Sequence, residues 1–212
     1  MSVYDGANGT GPLLGSCTLD ATGACSIAAR SDLTAGVHAI SAVYTNDTNF
    51  ASSTSSSLSY TITRYPVGIA VSPSANPAQY GATVGFTVRV DATTGAAPTG
   101  TVSLFDGTAG VGTCALVAQD ATSASCVISS ATLAGGLHAI TASYGGDATF
   151  ATATSAALTQ EILATPTTTA LFASPASVAY GAALTLTASV SSTLGIPAGT
   201  VAFSDGTTGL GT

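Results

Sequence analysis

Lysine and tryptophan are absent from this chain, and its only basic residues are Arg30, Arg64 and Arg89. Ten acidic residues leave a formal net charge of −7. A surface so poor in cations cannot neutralise a run of phosphates, which argues against nucleic-acid partners. Binding to anionic lipid is disfavoured for the same reason. Charged residues make up 6%, against about 25% in a typical soluble domain, so Ser, Thr, Asn and Gly must keep the surface hydrated. Aromatic residues are also scarce, at 6% beside 46% hydrophobic residues in total. The core must therefore come from alanine and β-branched side chains, which suit strands in thin sheets. No apolar run approaches the ~20 residues that span a bilayer, so no membrane insertion is expected. The opening "MSVYDGANG" has neither a basic nor an apolar leader region, and any export signal or anchor is expected outside these residues.

What is present is repetition, which should be sought before any other pattern. "GVHAISAVYTNDTNF" at 36–50 returns as "GLHAITASYGGDATF" at 136–150. "QYGATVGFTVRV" at 79–90 is echoed by "AYGAALTLTASV" at 179–190, and "PTGTVSLFDG" at 98–107 by "PAGTVAFSDG" at 197–206. "VYDG" at 3–6 is a third copy of that turn, and Pro66 and Pro166 mark matching junctions. The period of about 100 residues is that of whole domains. It divides the chain into the later part of one repeat (1–63), a complete repeat (64–163) and the first part of another (164–212). Incomplete flanking units would expose sheet edges and favour pairing with another chain, with head-to-tail complementation between molecules as one outcome, but the preferred reading is a slice of a longer polypeptide.

Within 64–163, strand signals fall at 67–73, 82–91, 100–106, 112–118, 123–129, 137–144 and 155–163, separated by turn residues. No segment holds a helical period. Seven short strands in this length predict an all-β fold, a two-sheet immunoglobulin-like sandwich.

The conspicuous polar residues lie inside the repeat. On a strand, His138, Ile140, Ala142 and Tyr144 share one face, and Ile and Ala mark it as the inner one. His138 and Tyr144 then stand roughly 20 Å apart at ~3.3 Å per residue and cannot serve one substrate atom. We expect them, like His38 and Tyr44, to cap the core and bond nearby backbone, much as a tyrosine corner does. Asp47 and Asp147 are expected to accept backbone N–H bonds in turns. Asp106–Gly107, like Asp5–Gly6 and Asp205–Gly206, reads as a hairpin turn. A calcium ion between Asp5 and Asp147 at a junction is the sharper alternative, but two carboxylates are few for a cation needing six to eight oxygens. No metal site, cofactor or catalytic residue is expected. "GTGPLLG" (9–15) and "GTAGVG" (107–112) read as hairpin loops, since without lysine a phosphate loop is impossible.

Cys17 and Cys25 lie symmetrically about Ala21, and Cys114 and Cys126 about Asp120. Each pair is expected to face itself across a hairpin, where directly opposed cysteines have the short Cβ separation of a disulfide. Free thiols or a metal site are the rival readings, though no histidine is near enough to complete the latter. Disulfides would place the chain in an oxidising compartment.

The run from "PTGTVSLFDG" through "LAGGLHAITASYGGDATFATATSAALTQEI" resembles the bacterial Ig-like repeats of group 3. The shared pattern is G-x-V-x-F-x-D-G, then G-x-H-x-I/L-T-A-x-Y, then G-D-x-x-F. Asn46 in place of Gly146, and Ser204 in place of Phe105, depart between copies. The resemblance implies an extracellular or cell-surface bacterial protein with no catalytic role, partnered by neighbouring repeats of its own polypeptide. Two functions compete: a stalk that spaces a distal module, and an adhesion module for a host or matrix glycan or protein.

Overall fold

The computed structural model describes residues 1–28, 30–93 and 95–212. Its first sheet contains β1 (Ser2–Asp5), β2 (Leu13–Ser16), β3 (Gly36–Tyr44), β4 (Ser53–Thr54) and β5 (Leu58–Ile62), with β3 flanked by β1 and by β4 and β5. A short 3-10 turn at Ala7–Gly9 follows β1.

The middle of the chain forms a two-sheet sandwich. Its strands are β6 (Val67–Pro73), β7 (Ala78–Gln79), β8 (Val84–Ala92), β9 (Thr101–Asp106), β10 (Ala109–Ala115), β11 (Val117–Ala118), β12 (Ser123–Ser130), β13 (Gly136–Tyr144), β14 (Ala153–Thr154) and β15 (Leu158–Leu163). One sheet runs β10-β9-β13-β15-β7, with β14 on β13, and the other runs β11-β12-β8-β6. The fold is all-β and immunoglobulin-like, as expected. Strict alternation builds the core: Val84, Phe86, Val88 and Val90 of β8 face Val102 and Leu104 of β9 and Ile140, Ala142 and Tyr144 of β13. Fully burying one such side chain contributes roughly 1.5–3 kcal/mol. The outward residues of β8 are Gly85, Thr87, Arg89 and Asp91.

One predicted turn proves to be part of a sheet. "PSANPAQYG" contains β7, which pairs parallel with the end of β15 through Ala78↔Ile162 and Gln79↔Leu163. Ahead of it, the Asn76 amide imitates a strand partner: its Nδ2 donates to Thr159 O at 2.7 Å and its Oδ1 accepts from Glu161 N at 2.9 Å. An edge that would otherwise offer free backbone groups is thereby covered.

Beyond β15 come β16 (Thr167–Ser174) and β17 (Thr185–Ser192), which pair with each other, then β18 (Phe203–Asp205) and β19 (Thr208–Gly211), also a pair. The β16–β17 register, Thr167↔Ser192 through Ser174↔Thr185, is that of β6–β8, Val67↔Ala92 onward, moved by 100 on each strand. The linker before β6 is stitched into the sandwich. Tyr65 N donates to Thr149 O and Ala151 N to Tyr65 O, both at 2.9 Å, and the Tyr65 and Phe150 rings lie 6.5 Å apart between centroids.

Candidate functional site

His138 enters β13 as the first of its inward residues, beside the end of β9. Its Nδ1 lies 2.7 Å from Asp106 Oδ2 and its Nε2 lies 2.8 Å from Ala134 O. His38 repeats the arrangement with Asp5 Oδ2 at 2.6 Å and Thr34 O at 2.7 Å. A carboxylate and a carbonyl oxygen only accept, so both ring nitrogens must donate and the imidazole is held as a cation. For His138 the Asp106 bond, then the Ala134 carbonyl, raise its pKa. For His38 the Thr34 carbonyl leads and Asp5 follows.

The hairpins expected at these aspartates form, and the histidine is a partner that the turn reading did not include. Asp106 is the last residue of β9, and the turn itself is Gly107 and Thr108. Asp106 and Asp5 have the histidine as partner, so the backbone contact foreseen for each imidazole is only half of its environment. The signal was in the sequence: the Asp and the His recur together, at separations of 33 and 32 residues.

At the other end of β13, Tyr144 is fully buried and donates to Thr99 O at 2.7 Å. That carbonyl is 45 residues upstream, in the approach to β9, so the bond joins two elements where a tyrosine corner would close locally. Burial, then the Asp147 charge, push the phenol up to about 12. Asp147 Oδ1 accepts from Thr149 N and Phe150 N, and its Oδ2 from Thr99 N and Thr99 Oγ1, all within 2.7–2.9 Å. Burial acts to raise this carboxyl, but the N–H groups of Thr99, Phe150 and Thr149 outweigh it and hold it at about 2. In the first sheet Asp47 Oδ1 likewise accepts from Asn49 N and Phe50 N, while Tyr44 donates directly to Asp47 Oδ2 at 2.9 Å.

Both disulfides form, Cys17–Cys25 and Cys114–Cys126, which fits an oxidising environment. The expected geometry needs correction. Cys114 lies on β10 and Cys126 on β12, which belong to opposite sheets. The register Val117↔Ser125 also does not place the two cysteines opposite each other. The bond therefore staples the two sheets where the chain crosses between them. Cys17–Cys25 closes a turn that lies outside any strand. Each disulfide loop is tightened by an aspartate at its apex: Asp20 Oδ1 accepts from Thr22 N and Ala24 N, and Asp120 Oδ1 from Thr122 N. Likewise, "GTAGVG" is mostly the strand β10, and Gly112 is where it approaches Ile128 of β12. In "GTGPLLG" the last three residues belong to β2.

The polar groups thus sit in pairs at the two ends of the β1–β5 sheet and of the sheet containing β9 and β13, engaged with acceptors and donors of their own repeat. Among the described residues no group of three or more His, Cys, Asp or Glu side chains gathers as a metal set would. Of the oxygens weighed for calcium, Asp5 Oδ2 is taken up by His38 and both Asp147 oxygens by the Thr99, Thr149 and Phe150 N–H groups.

Residues 71–163 match the family model of the bacterial Ig-like domain (group 3), and the resemblance read from the sequence motifs holds over that segment. No curated protein matches the chain.

Proposed function

Taking residues 71–163 as a bacterial Ig-like domain, we propose that the chain is a stretch of tandem non-catalytic modules, divided at 63/64 and 163/164, that acts as an extracellular spacer in a bacterial surface or secreted protein. The observation that carries this reading is the linker. Tyr65, just past the 63/64 division, is hydrogen-bonded on both sides to the 149–151 loop of its own repeat and packs on Phe150, so the entry to the complete repeat is paired backbone in place of a free tether. A spacer needs such stiffness, because a flexible chain gains reach only as the square root of its length. Pro66 next to it fixes φ and removes a donor at the strand entry.

Adhesion is the second reading. An open groove of about 510 Å³ follows the middle sandwich, lined by Tyr80, Thr165, Leu194, Ile196 and Pro197, and offers apolar surface to a glycan or protein. Small-angle scattering of the chain and of Tyr65→Gly tests the spacer. An extended particle is expected, with the variant broader in its distance distribution. Identical curves would remove the stiffness argument. An array of glycans and matrix proteins is expected to stay blank, and a specific hit abolished by Tyr80→Ala would favour adhesion.

A further inference from the structure

In the middle sandwich the segment by which the chain enters is joined to the segment by which it leaves at two places, and both joins are parallel. Tyr65 bridges Phe150 in parallel, and Ala78 and Gln79 of β7 pair in parallel with Ile162 and Leu163 of β15. The other ladders described in the sandwich are antiparallel. Side chains lengthen the second join. Asn76 engages Thr159 O and Glu161 N, Gln160 Nε2 donates to Ala75 O at 3.1 Å, and Tyr80 N donates to Leu163 O at 2.9 Å. Residues 75–80 are thereby tied along their length to 159–163. Gln160 is fully buried, so its bond to Ala75 is shielded from water and correspondingly strong.

Direction decides what such a join does under tension. Chain entering through Tyr65 pulls β7 by its N-terminal end, and chain leaving after Leu163 pulls β15 by its C-terminal end. On parallel neighbours these pulls point in opposite directions along the shared axis, so the strands must slide and their bonds break together. On antiparallel neighbours the two pulled ends would lie side by side, and the bonds would open one at a time. We propose that residues 75–80 and 159–163 form a mechanical clamp that sets the force at which the complete repeat unfolds, so that the module carries tension along the chain as well as spanning distance. That use rests on the spacer reading, whereas the clamp itself rests on strand direction and hydrogen bonds alone. Ala176 stands in the next copy where Asn76 stands here, so the Asn76 contribution belongs to this repeat and not to the period as a whole.

The test holds the whole chain by its two ends at constant force. The step belonging to residues 64–163 is recognised by the chain it frees, roughly 300 Å at ~3.6 Å per residue once the loop closed by Cys114–Cys126 is left out. Asn76→Ala is expected to shorten the lifetime before that step about tenfold, which corresponds to about 1.4 kcal/mol in the barrier, and adding Gln160→Met should shorten it further. Gly112→Ala, between β10 and β12 and away from both joins, should lower the denaturant midpoint but leave the lifetime under force unchanged. Its contact is still intact when the joins break, so the native and breaking states are raised alike, and forced unfolding follows that barrier. Amide protection of Val88 and Ile140 serves as the folding control, with Asn76→Ser substituted if Asn76→Ala loses it. A folded Asn76 variant with the wild-type lifetime, or a Gly112→Ala lifetime shortened as much as that of Asn76→Ala, overturns the proposal. Wild type that opens gradually, without one discrete step, also overturns it, and leaves the spacer standing if the scattering profile is still extended.

Discussion

The carboxylate of Asp106 and the imidazole of His138 lie 2.7 Å apart at the open end of the β9–β13 pair, joining two strands that already share a ladder. Because the other ring nitrogen faces Ala134 O, deprotonation sets a lone pair against an acceptor. The same holds for His38 between Asp5 and Thr34. The repeat therefore carries a cation that depends on pH for its fit.

Stability is expected to fall as pH rises above 6.5. Each histidine pKa is raised from 6.5 in the folded state, so its contribution is complete below 6.5 and is lost as pH rises through the folded value. On the acid side Asp120 and Asp147 are held at about 2 against an ordinary 3.8. Their contribution is present above 3.8 and disappears as pH falls through about 2. Calorimetry should find the highest Tm between about pH 4 and 6.5, as this linkage requires. The double variant His38→Gln, His138→Gln should lose the alkaline slope and keep the acid one. An unchanged alkaline slope in that variant would rule out the histidines as its source.

Gly112 should resist any side chain. A Cβ there would sit 2.9 Å from Ile128 Cγ2, across the gap between β10 and β12. Gly112→Ala is expected to destabilise the middle sandwich by about 1–3 kcal/mol, the usual cost of overpacking. Ile128→Ala removes the opposing methyl, so the pair should be less costly together than the sum of the single changes. A chemical-denaturation cycle with additive effects would contradict this contact.

The sequence carried the strand alternation plainly, because Val84, Phe86, Val88 and Val90 admit one inward face. It carried the Asp147 turn as well, since an Asx side chain satisfies neighbouring N–H groups locally. What it could not carry was anything set by the crossing of the chain between sheets. Symmetry about Asp120 suggested a hairpin for Cys114 and Cys126, but β11 shifts the register and β10 stays with β9. Asn76 looked like a turn residue because its partners on β15 are more than 80 residues away. The Asp106–His138 pair fell between these cases: both residues were singled out, but each was read against its own neighbours only.

Removing the inter-sheet disulfide should cost the middle sandwich more than its local turn suggests. Closing a 12-residue separation corresponds to about 3 kcal/mol of restricted unfolded-chain entropy. Cys114→Ala, Cys126→Ala is expected to lower the denaturant midpoint accordingly, with the slope changed little. The companion change, Cys17→Ala with Cys25→Ala, should leave that transition in place, because that bond closes a turn outside the β6–β15 core. Equal losses from both pairs would show that the position between sheets has no special weight.

Gly146 links the stability of a repeat to the stiffness of its junction. It has φ +75°, and a Cβ would meet Phe150 O at 2.9 Å and Thr152 N at 3.1 Å. The first sheet has Asn46 at this place, without positive φ, and there Phe50 stays exposed. Gly146→Asn is therefore expected to cost about 1–3 kcal/mol, as strained backbone does, and to draw Phe150 out of the core. Because Thr149 and Ala151 hold the Tyr65 backbone and Phe150 its ring, the same change should free the linker. Hydrogen exchange at the Tyr65 and Ala151 amides should quicken together with a broader scattering profile. Faster exchange at Phe150 alone, with Tyr65 still protected, would mean that the linker is held by something other than this loop.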